Sequence, residues 1–361
     1  MRRAAIVGTG AIAAAHAEAV RACGDRVELV SVADVDAGRA AAFAERWGVP
    51  RVHPGLTALL AEEEPDVVHI CTPPRHHVPL ALECLAANAT VLVEKPPALS
   101  LAEVDALVVA ERSSTGRVAT VFQHRFGPAA VRLRRLAAEG VLGRSLVAKC
   151  DTLWYRDDAY FAVPWRGSWD SEGGGPTMGH GIHQFDLLLS VLGPWREVRA
   201  VAARQARDVQ TEDVSMALVT FADGTVASVV NSLLSPRETS QLRFDFERAT
   251  VEVEHLYGYS DAHWTVTPAP GHDDVLARWQ QEQRSDEVSG HRGQLAAVLD
   301  ALDGGEPPPV TLADTRDTME FIAALYASAF TGAVVQAGRI GPGDPFYTSM
   351  EGSGAPWATN R

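Results

Sequence analysis

The stretch that most constrains this chain is its start. An apolar run, Ala4-Ala5-Ile6-Val7, ends on Gly8-Thr9-Gly10-Ala11-Ile12-Ala13, and an Ala-rich helical stretch covers about residues 11–22. A short, wholly apolar run reads as a parallel strand buried on both faces. In a GxGxxA loop between strand and helix, the first glycine allows a tight turn and the second lets backbone approach a pyrophosphate. The third position must be small, because the helix packs on the strand there. The helix start then offers free N–H groups and a positive dipole end to phosphates. A second apolar run, Val27 to Ala33, ends on Asp34, where a carboxylate can accept from both ribose hydroxyls of an adenosine. The pattern fits a dinucleotide held by Gly8, Gly10, Ala11, Ile12 and Asp34. Two alternatives stand beside this: a loop that is only a structural turn, or Asp34 as a cap with Asp36 as the ribose ligand. A 2′-phosphate would meet the Asp34 charge, which favours NAD; Arg39 can still accommodate a phosphate and leaves NADP open.

The first third of the chain alternates between two periods. Strand patterns at 66–70, 90–93 and 118–122 alternate with helical ones at 37–47, 76–88 and 100–112. Such alternation means right-handed βαβ units and a doubly wound parallel sheet, the Rossmann arrangement. After about residue 145 the pattern changes to strands at 145–155, 197–205, 214–221, 225–233, 240–247 and 250–254, joined by short turns such as Ala222-Asp223-Gly224. These predict an α+β domain with a large open, mostly antiparallel sheet. Helices at 177–192, 291–303 and 314–331 are expected to cover one face. The other face needs a partner, which predicts a homodimer or homotetramer built through this sheet. The boundary falls near 122–128, giving domains 1–124 and 125–361, with 338–361 as an aperiodic, extended tail.

Composition removes several classes of function. The formal net charge is −14, so a polyanion would be repelled, and Arg132, Arg134 and Arg135 read as one helix face; nucleic acid is set aside. The four cysteines are scattered with no CxxC pair, which fits a reducing compartment. No apolar stretch reaches membrane-span length, and the first apolar run is too short for a signal peptide. A soluble, cytoplasmic protein is expected.

Three further stretches carry a resemblance. They are Cys71-Thr72-Pro73-Pro74-Arg75-His76-His77, Glu94-Lys95-Pro96, and Glu172-Gly173-Gly174-Gly175 leading to Gly181-Ile182-His183-Gln184-Phe185-Asp186. With the glycine loop, over roughly residues 3–347, they resemble the Gfo/Idh/MocA family of NAD(P)-dependent sugar and cyclitol oxidoreductases. The resemblance implies an oxidoreductase in which Lys95 and His183 act on the reacting hydroxyl, with a cis Lys95–Pro96 bond. It also implies Thr72, Pro73, His77, Glu94, Lys95, Gln123, Trp165 and Arg166 at the cofactor, and His124, Arg125, Tyr155, His180 and His183 at the substrate. One departure concerns the substrate. Many members carry Asp or Asn four residues before the catalytic histidine, where this chain has Gly179 with His180 beside it.

The chemistry agrees with these residue types. Oxidising a secondary alcohol requires hydride departure from carbon and proton removal from oxygen in one geometry. Histidine supplies a base near neutrality, and a partly buried lysine stabilises the alkoxide without a metal. Bland readings stand beside these: His183 as a hydrogen-bonded core residue, Lys95 as a surface charge, His76 and His77 as helix-start residues. The spacing His180, His183, Asp186 also suits a divalent metal on one helix face, but no further ligand cluster is evident, so no metal is expected. The crowded aromatics Trp154, Tyr155, Tyr160, Phe161, Trp165 and Trp169 suit sugar stacking, with half of them expected in the core. Two alternative functions are a glycosidase that retains NAD and works by transient oxidation, and a non-catalytic NAD-binding sensor.

Overall fold

Six parallel strands form the sheet of the first unit: β1 (Arg2–Val7), β2 (Val27–Ala33), β3 (Arg51–His53), β4 (Val67–Ile70), β5 (Thr90–Val93) and β6 (Val118–Thr120). In this computed structural model, which describes residues 1–281 and 284–357, they stand in the order β3-β2-β1-β4-β5-β6. Every residue of β4 and β5 is buried, as their apolar runs require of central parallel strands. The order reverses between β1 and β4. Chains leaving these two strands depart in opposite senses and open a crevice at the carboxyl edge, where ligands of such sheets bind.

This unit comprises Met1–Val121 and His291–Arg316. The helix expected over 291–303 to cover the antiparallel sheet belongs here instead. As His291–Gly304 it buries Leu295, Val298 and Leu299 against Val20 and Val27 and against Leu92 and Val121. Its amphipathic pattern announced a buried stripe but not the sheet that buries it. Strand β3 and the helix Leu56–Glu63 are further elements that periodicity did not supply. β3 is only three residues long, two of them exposed, so it carries no apolar signal.

The second unit comprises Phe122–Gly290 and the chain from Asp317 onward. Its strands are β7 (Ser145–Tyr155), β8 (Trp195–Ala203), β9 (Val214–Phe221), β10 (Val226–Ser232), β11 (Leu234–Phe246), β12 (Ala249–His255), β13 (Trp264–Pro268) and β14 (Val335–Gln336). They form one sheet ordered β13-β12-β11-β7-β10-β9-β8-β14, in which, among the described residues, only β7 and β10 pair in parallel. The turn at Ala222-Asp223-Gly224 joins β9 to β10 as its residues demand. Gly224 takes φ +94, and the Asp223 carboxylate accepts from the Thr225 N–H at 2.9 Å.

Helices Ile182–Leu192 and Leu312–Thr331 pack on one face, with the Phe185 and Phe321 rings 5.3 Å apart. The opposite face carries Leu218 and Val201, 69% and 63% exposed, with Met216, Val226 and Val147 around them. The tail expected to be extended is not, as far as Trp357. It buries Ile340, Phe346, Met350 and Ala355, packs Phe346 and Trp357 on the Phe330 ring, and donates from the Trp357 Nε1–H to the Gln210 carbonyl at 2.8 Å. The last residues of that tail, 358–361, lie outside the described residues.

Candidate active site

The glycine loop follows β1 with Gly8 at φ +87, its N–H bonded to the Ala33 carbonyl at 2.8 Å. A side chain there would place Cβ 2.8 Å from the Cys71 backbone, so only glycine lets β1 and β4 end side by side. Gly10 differs. A Cβ at Gly10 would meet no protein atom within 4 Å, so the protein itself does not demand glycine there and leaves the loop backbone open to a ligand. The loop therefore fits a pyrophosphate approaching the backbone.

Asp34, directly after β2, is buried and multiply bonded. Its Oδ2 accepts from the Thr9 N–H at 2.7 Å and the Thr9 hydroxyl at 3.0 Å, and its Oδ1 from the Asp36 N–H at 2.9 Å. Arg39 grips both oxygens, Nη2 to Oδ1 at 2.7 Å and Nε to Oδ2 at 3.1 Å. Burial pushes the carboxyl up, but the Arg39 fork and the N–H donors outweigh it and hold the group well below the usual carboxylate range. Asp36 caps the helix Ala37–Trp47 by accepting from the Arg39 N–H at 3.0 Å. Capping thus falls to Asp36, and Asp34 is left at the end of β2 with Arg39 across it.

At the end of β4, the His77 ring lies between two carbonyls, Nε2 to Thr72 O at 2.8 Å and Nδ1 to Pro96 O at 2.7 Å. A neutral imidazole carries one N–H, so the ring donates to one of these carbonyls at a time while packing between the Thr72-Pro73 turn and the segment after Lys95. Burial pulls its pKa down against these two acceptors. The Lys95–Pro96 peptide is cis.

Beside Lys95 lies a feature that no motif announced. Glu94 Oε1 accepts from His16 Nε2 and from His291 Nε2, each at 2.9 Å, while Oε2 accepts from the Lys95 N–H at 3.2 Å. His16 Nδ1 meets His69 Nδ1 at 2.8 Å. With Nε2–H of His16 given to Glu94, its Nδ1 must accept and His69 must donate. Burial holds His16 and His69 below their ordinary pKa and so neutral at pH 7. Burial pushes Glu94 up, but its bonds to the two imidazoles win and keep it ionised. Ligand-type atoms of His16, Glu94 and His291 lie within 4.8 Å of one another, a spacing that two N–H···O bonds to a single oxygen already account for.

In the second unit His183 opens the helix Ile182–Leu192 and is buried. Its ring lies 5.2 Å from that of His124 and 5.5 Å from that of Tyr257. His124 stacks on Tyr259 at 4.5 Å and bonds Ser289 Oγ at 3.0 Å. Gln123 donates to the Tyr257 hydroxyl, and Gln184 to that of Tyr259 at 2.8 Å. Arg125 is joined to Asp186 as a fork, at 2.7 and 2.6 Å. Asp186 is thereby engaged by a guanidinium and does not share a face with His180. The helix is interrupted at His180, which leaves helical geometry at φ −120, and Gly181 must be glycine because a side chain there would collide with Asn231 of β10.

His180 faces a different group, Trp154 at 5.0 Å edge-on and the Tyr160 hydroxyl at 3.4 Å. Trp154 reaches Tyr257 at 6.1 Å and continues the aromatic wall to His183. Arg166 donates to Tyr160, pairs with Glu172 at 3.5 Å and lies 4.4 Å over the Trp165 ring. Tyr155 stands apart on the sheet rim, half-exposed, its ring under Arg207. Tyr257 and Tyr259 were missed. Their signal is Tyr257-Gly258-Tyr259 directly after a strand, with Gly258 at φ +73.

The Gly173-Gly174-Gly175 run ahead of these histidines is held by a buried carboxyl. Glu212 accepts from the Gly175 and Thr177 N–H groups, both at 3.1 Å, and from the Tyr326 hydroxyl at 2.8 Å. All three donors are neutral, so burial wins and pushes this carboxyl up to about 7.

Known proteins agree with these two halves. Residues 2–122 match the model of an oxidoreductase family with an NAD-binding Rossmann fold, and residues 130–252 match the GFO/IDH/MocA C-terminal domain. D-glucoside 3-dehydrogenase of Escherichia coli is 28% identical, over 92% of this chain and 97% of its own length. Inositol 2-dehydrogenase 2 of Paenarthrobacter aurescens is 29% identical, over 91% and 94%. Among solved structures, the WlbA dehydrogenase of Bordetella pertussis with NADH and UDP-GlcNAcA superposes with a TM-score of 0.81 at 26% identity. The match covers 92% of this chain and 98% of that one.

Glu212 generates a prediction about stability. Its folded pKa of about 7 lies above the ordinary 4.5, so between those values the folded chain holds a proton that the unfolded chain has lost. Stability from this group is therefore full below about pH 4.5 and declines as pH rises toward 7. Glu212→Gln should flatten the Tm-against-pH curve over that interval. An unchanged slope would remove Glu212 as its source.

Proposed function

The chain belongs to the GFO/IDH/MocA oxidoreductase family, and on that basis we propose that it oxidises a ring hydroxyl of a sugar or cyclitol, with Lys95 and His183 acting on the reacting oxygen. It is a dehydrogenase of CH–OH groups that uses NAD. One observation supports the residue roles above the others. Lys95 leaves the carboxyl end of β5, on the sheet edge that also carries the glycine loop and Asp34.

When bound, NAD accepts the hydride; the chain must manage the oxygen. The Lys95 ammonium stabilises negative charge growing on that oxygen, and the His183 imidazole takes its proton. His183 starts a buried helix anchored by the Arg125–Asp186 fork, which limits the positions its ring can take. The wall of Trp154, Tyr257 and Tyr160 offers flat apolar surface to the C–H face of a ring, with His180 and Arg166 supplying polar contacts among it. A panel of methyl D-glucopyranoside, myo-inositol, D-apiose and UDP-GlcNAcA with NAD, followed at the NADH absorbance, tests the substrate class. No turnover with any of them would count against it.

Lys95→Ala and His183→Ala should each leave NAD affinity nearly intact and lower kcat by roughly 10²–10⁴-fold. The two losses should fall short of additivity in free energy, as for groups acting as one unit. A His183→Ala enzyme that keeps most of its rate would remove the histidine from this role, and His180 or His124 would be the next base to test.

Asp34 favours NAD over NADP, since its carboxylate suits ribose hydroxyls and repels a 2′-phosphate. We expect NAD to bind at least about tenfold more tightly, roughly the 1.4 kcal/mol that one unfavourable charge contact supplies. Asp34→Ala frees Arg39 and should narrow the gap in a fluorescence titration. Equal affinities in the wild type would refute the preference.

The exposed sheet face supports assembly as a homodimer or homotetramer. Its centre is apolar, Leu218 and Val201 with Met216 and Val226, and charges of both signs lie toward the rim, including Arg243 and Glu254. Sedimentation at micromolar concentration should show an oligomer, and Leu218→Arg should shift it toward monomer. A monomeric wild type would overturn this assembly.

A further inference from the structure

The Glu94 network is built from four separate segments of the first unit. His16 comes from the helix after the glycine loop, His69 from β4, Glu94 from the end of β5, and His291 from the first turn of the helix His291–Gly304. His16 and His69 are fully buried, and Glu94 and His291 are 5% and 9% exposed. A buried anion with three N–H donors is costly to assemble and costly to break, because removing one donor leaves uncompensated charge. One of those donors is the backbone N–H of Lys95 itself.

We propose that His16, His69 and His291 are positioning residues for Lys95: they fix the Glu94 carboxylate, and Glu94, through the Lys95 N–H, fixes where the ammonium is presented. This rests on the reading that Lys95 stabilises the reacting oxygen. His291 is the informative member. It lies far in sequence from both the glycine loop and Lys95, yet it supplies half of the imidazole contacts to Glu94 Oε1. The bonds also give Glu94 a reason to precede the lysine: an apolar residue there would leave two imidazole N–H groups without an acceptor.

The chain holds only two lysines, Lys95 and Lys149, so amine chemistry can read Lys95 directly. Lys149 lies on the exposed sheet face, paired with Asp151 at 2.6 Å, and serves as the internal reference. Pulse labelling with acetic anhydride across pH 6–10, read by mass spectrometry, gives a rate for each lysine without any substrate (the pH range brackets roughly the ordinary lysine titration). His291→Ala should change the Lys95 rate measurably and leave Lys149 unchanged, since the Lys95 backbone loses its fixed anchor. His291→Gln, whose amide N–H can still reach Glu94, should restore most of the wild-type profile. Should His291→Ala not fold, His69→Leu removes the donor that fixes the His16 tautomer and reads the same quantity.

Activity supplies the second arm, with methyl D-glucopyranoside as default probe or whichever panel member turns over fastest. His291→Ala should lower kcat about 10–100-fold with NAD affinity nearly unchanged. In a Lys95→Ala background it should cost nothing further, because its route is through Lys95. The same loss in both backgrounds, or an unaltered Lys95 labelling profile in His291→Ala and Glu94→Gln, would overturn the positioning role. A Lys95→Ala enzyme of full activity would instead overturn the role of Lys95, while the labelling arm would still judge the network. One equivalent of metal in the purified protein, lost in His291→Ala, would replace the network by a metal site.

Discussion

The close approach of Gly8 to the Cys71 backbone is the contact on which the first unit depends. β1 and β4 are the neighbours between which the strand order reverses, and their outgoing chains must separate with nothing wedged between them. With no Cβ at Gly8, the loops leaving successive strands come close enough to tie one another. Thr9 bonds Asp34, His77 bonds Thr72 or Pro96, and Glu94 bonds His16. Each tie contributes about 1 kcal/mol, or about 1.5–3 where a charge takes part. Together they turn a row of loop ends into one connected edge. That edge carries the glycine loop and Asp34 on one side of the reversal and Lys95 on the other.

Three buried carboxyls show how donor chemistry decides charge. Burial opposes ionisation at all of them. Asp34 meets a guanidinium fork and two peptide N–H groups, and its pKa falls. Glu94 meets two imidazoles and falls as well. Glu212 receives two peptide N–H bonds and a phenol, and still rises to about 7. The Arg39 fork with three further donors offsets desolvation at Asp34, and two imidazole contacts to one oxygen do so at Glu94, whereas two peptide N–H groups and a phenol do not at Glu212. Two of these groups are thus fixed anions near neutral pH, and the third titrates beneath the loop that leads to His183.

Contiguous features were legible in the sequence and assembled ones were not. Gly8, Gly10 and Asp34 each sit within one strand and its loop, so local period and residue type place them, and the family resemblance marks the equally contiguous Glu94-Lys95-Pro96 turn. The imidazoles around Glu94 lie 78 and 197 residues away along the chain, and no local pattern joins them. Regular helical spacing put His180, His183 and Asp186 on one face, but the interruption at His180 and the bond to Arg125 separate their roles. The tail after Gly338 lacks periodicity because single anchors hold it, Phe346 and Met350 in particular, instead of a repeating stripe.

Residue choice at position 95 carries one more argument. The chain uses thirty arginines against two lysines, so a cation placed only for surface charge would be expected to be arginine. An arginine would keep its charge through any reaction and spread it over a planar fork, which suits the permanent partners Asp34 and Asp186. An ammonium concentrates its charge on one nitrogen and turns its three donors freely. It can therefore follow an oxygen whose charge appears only in the transition state. A compact cation on a flexible stem needs a well-fixed base, and the bond from Glu94 to the Lys95 N–H provides one. On the role proposed for Lys95, the scarcity of lysine and the buried anion beneath it answer one requirement, a movable charge on an immobile mount.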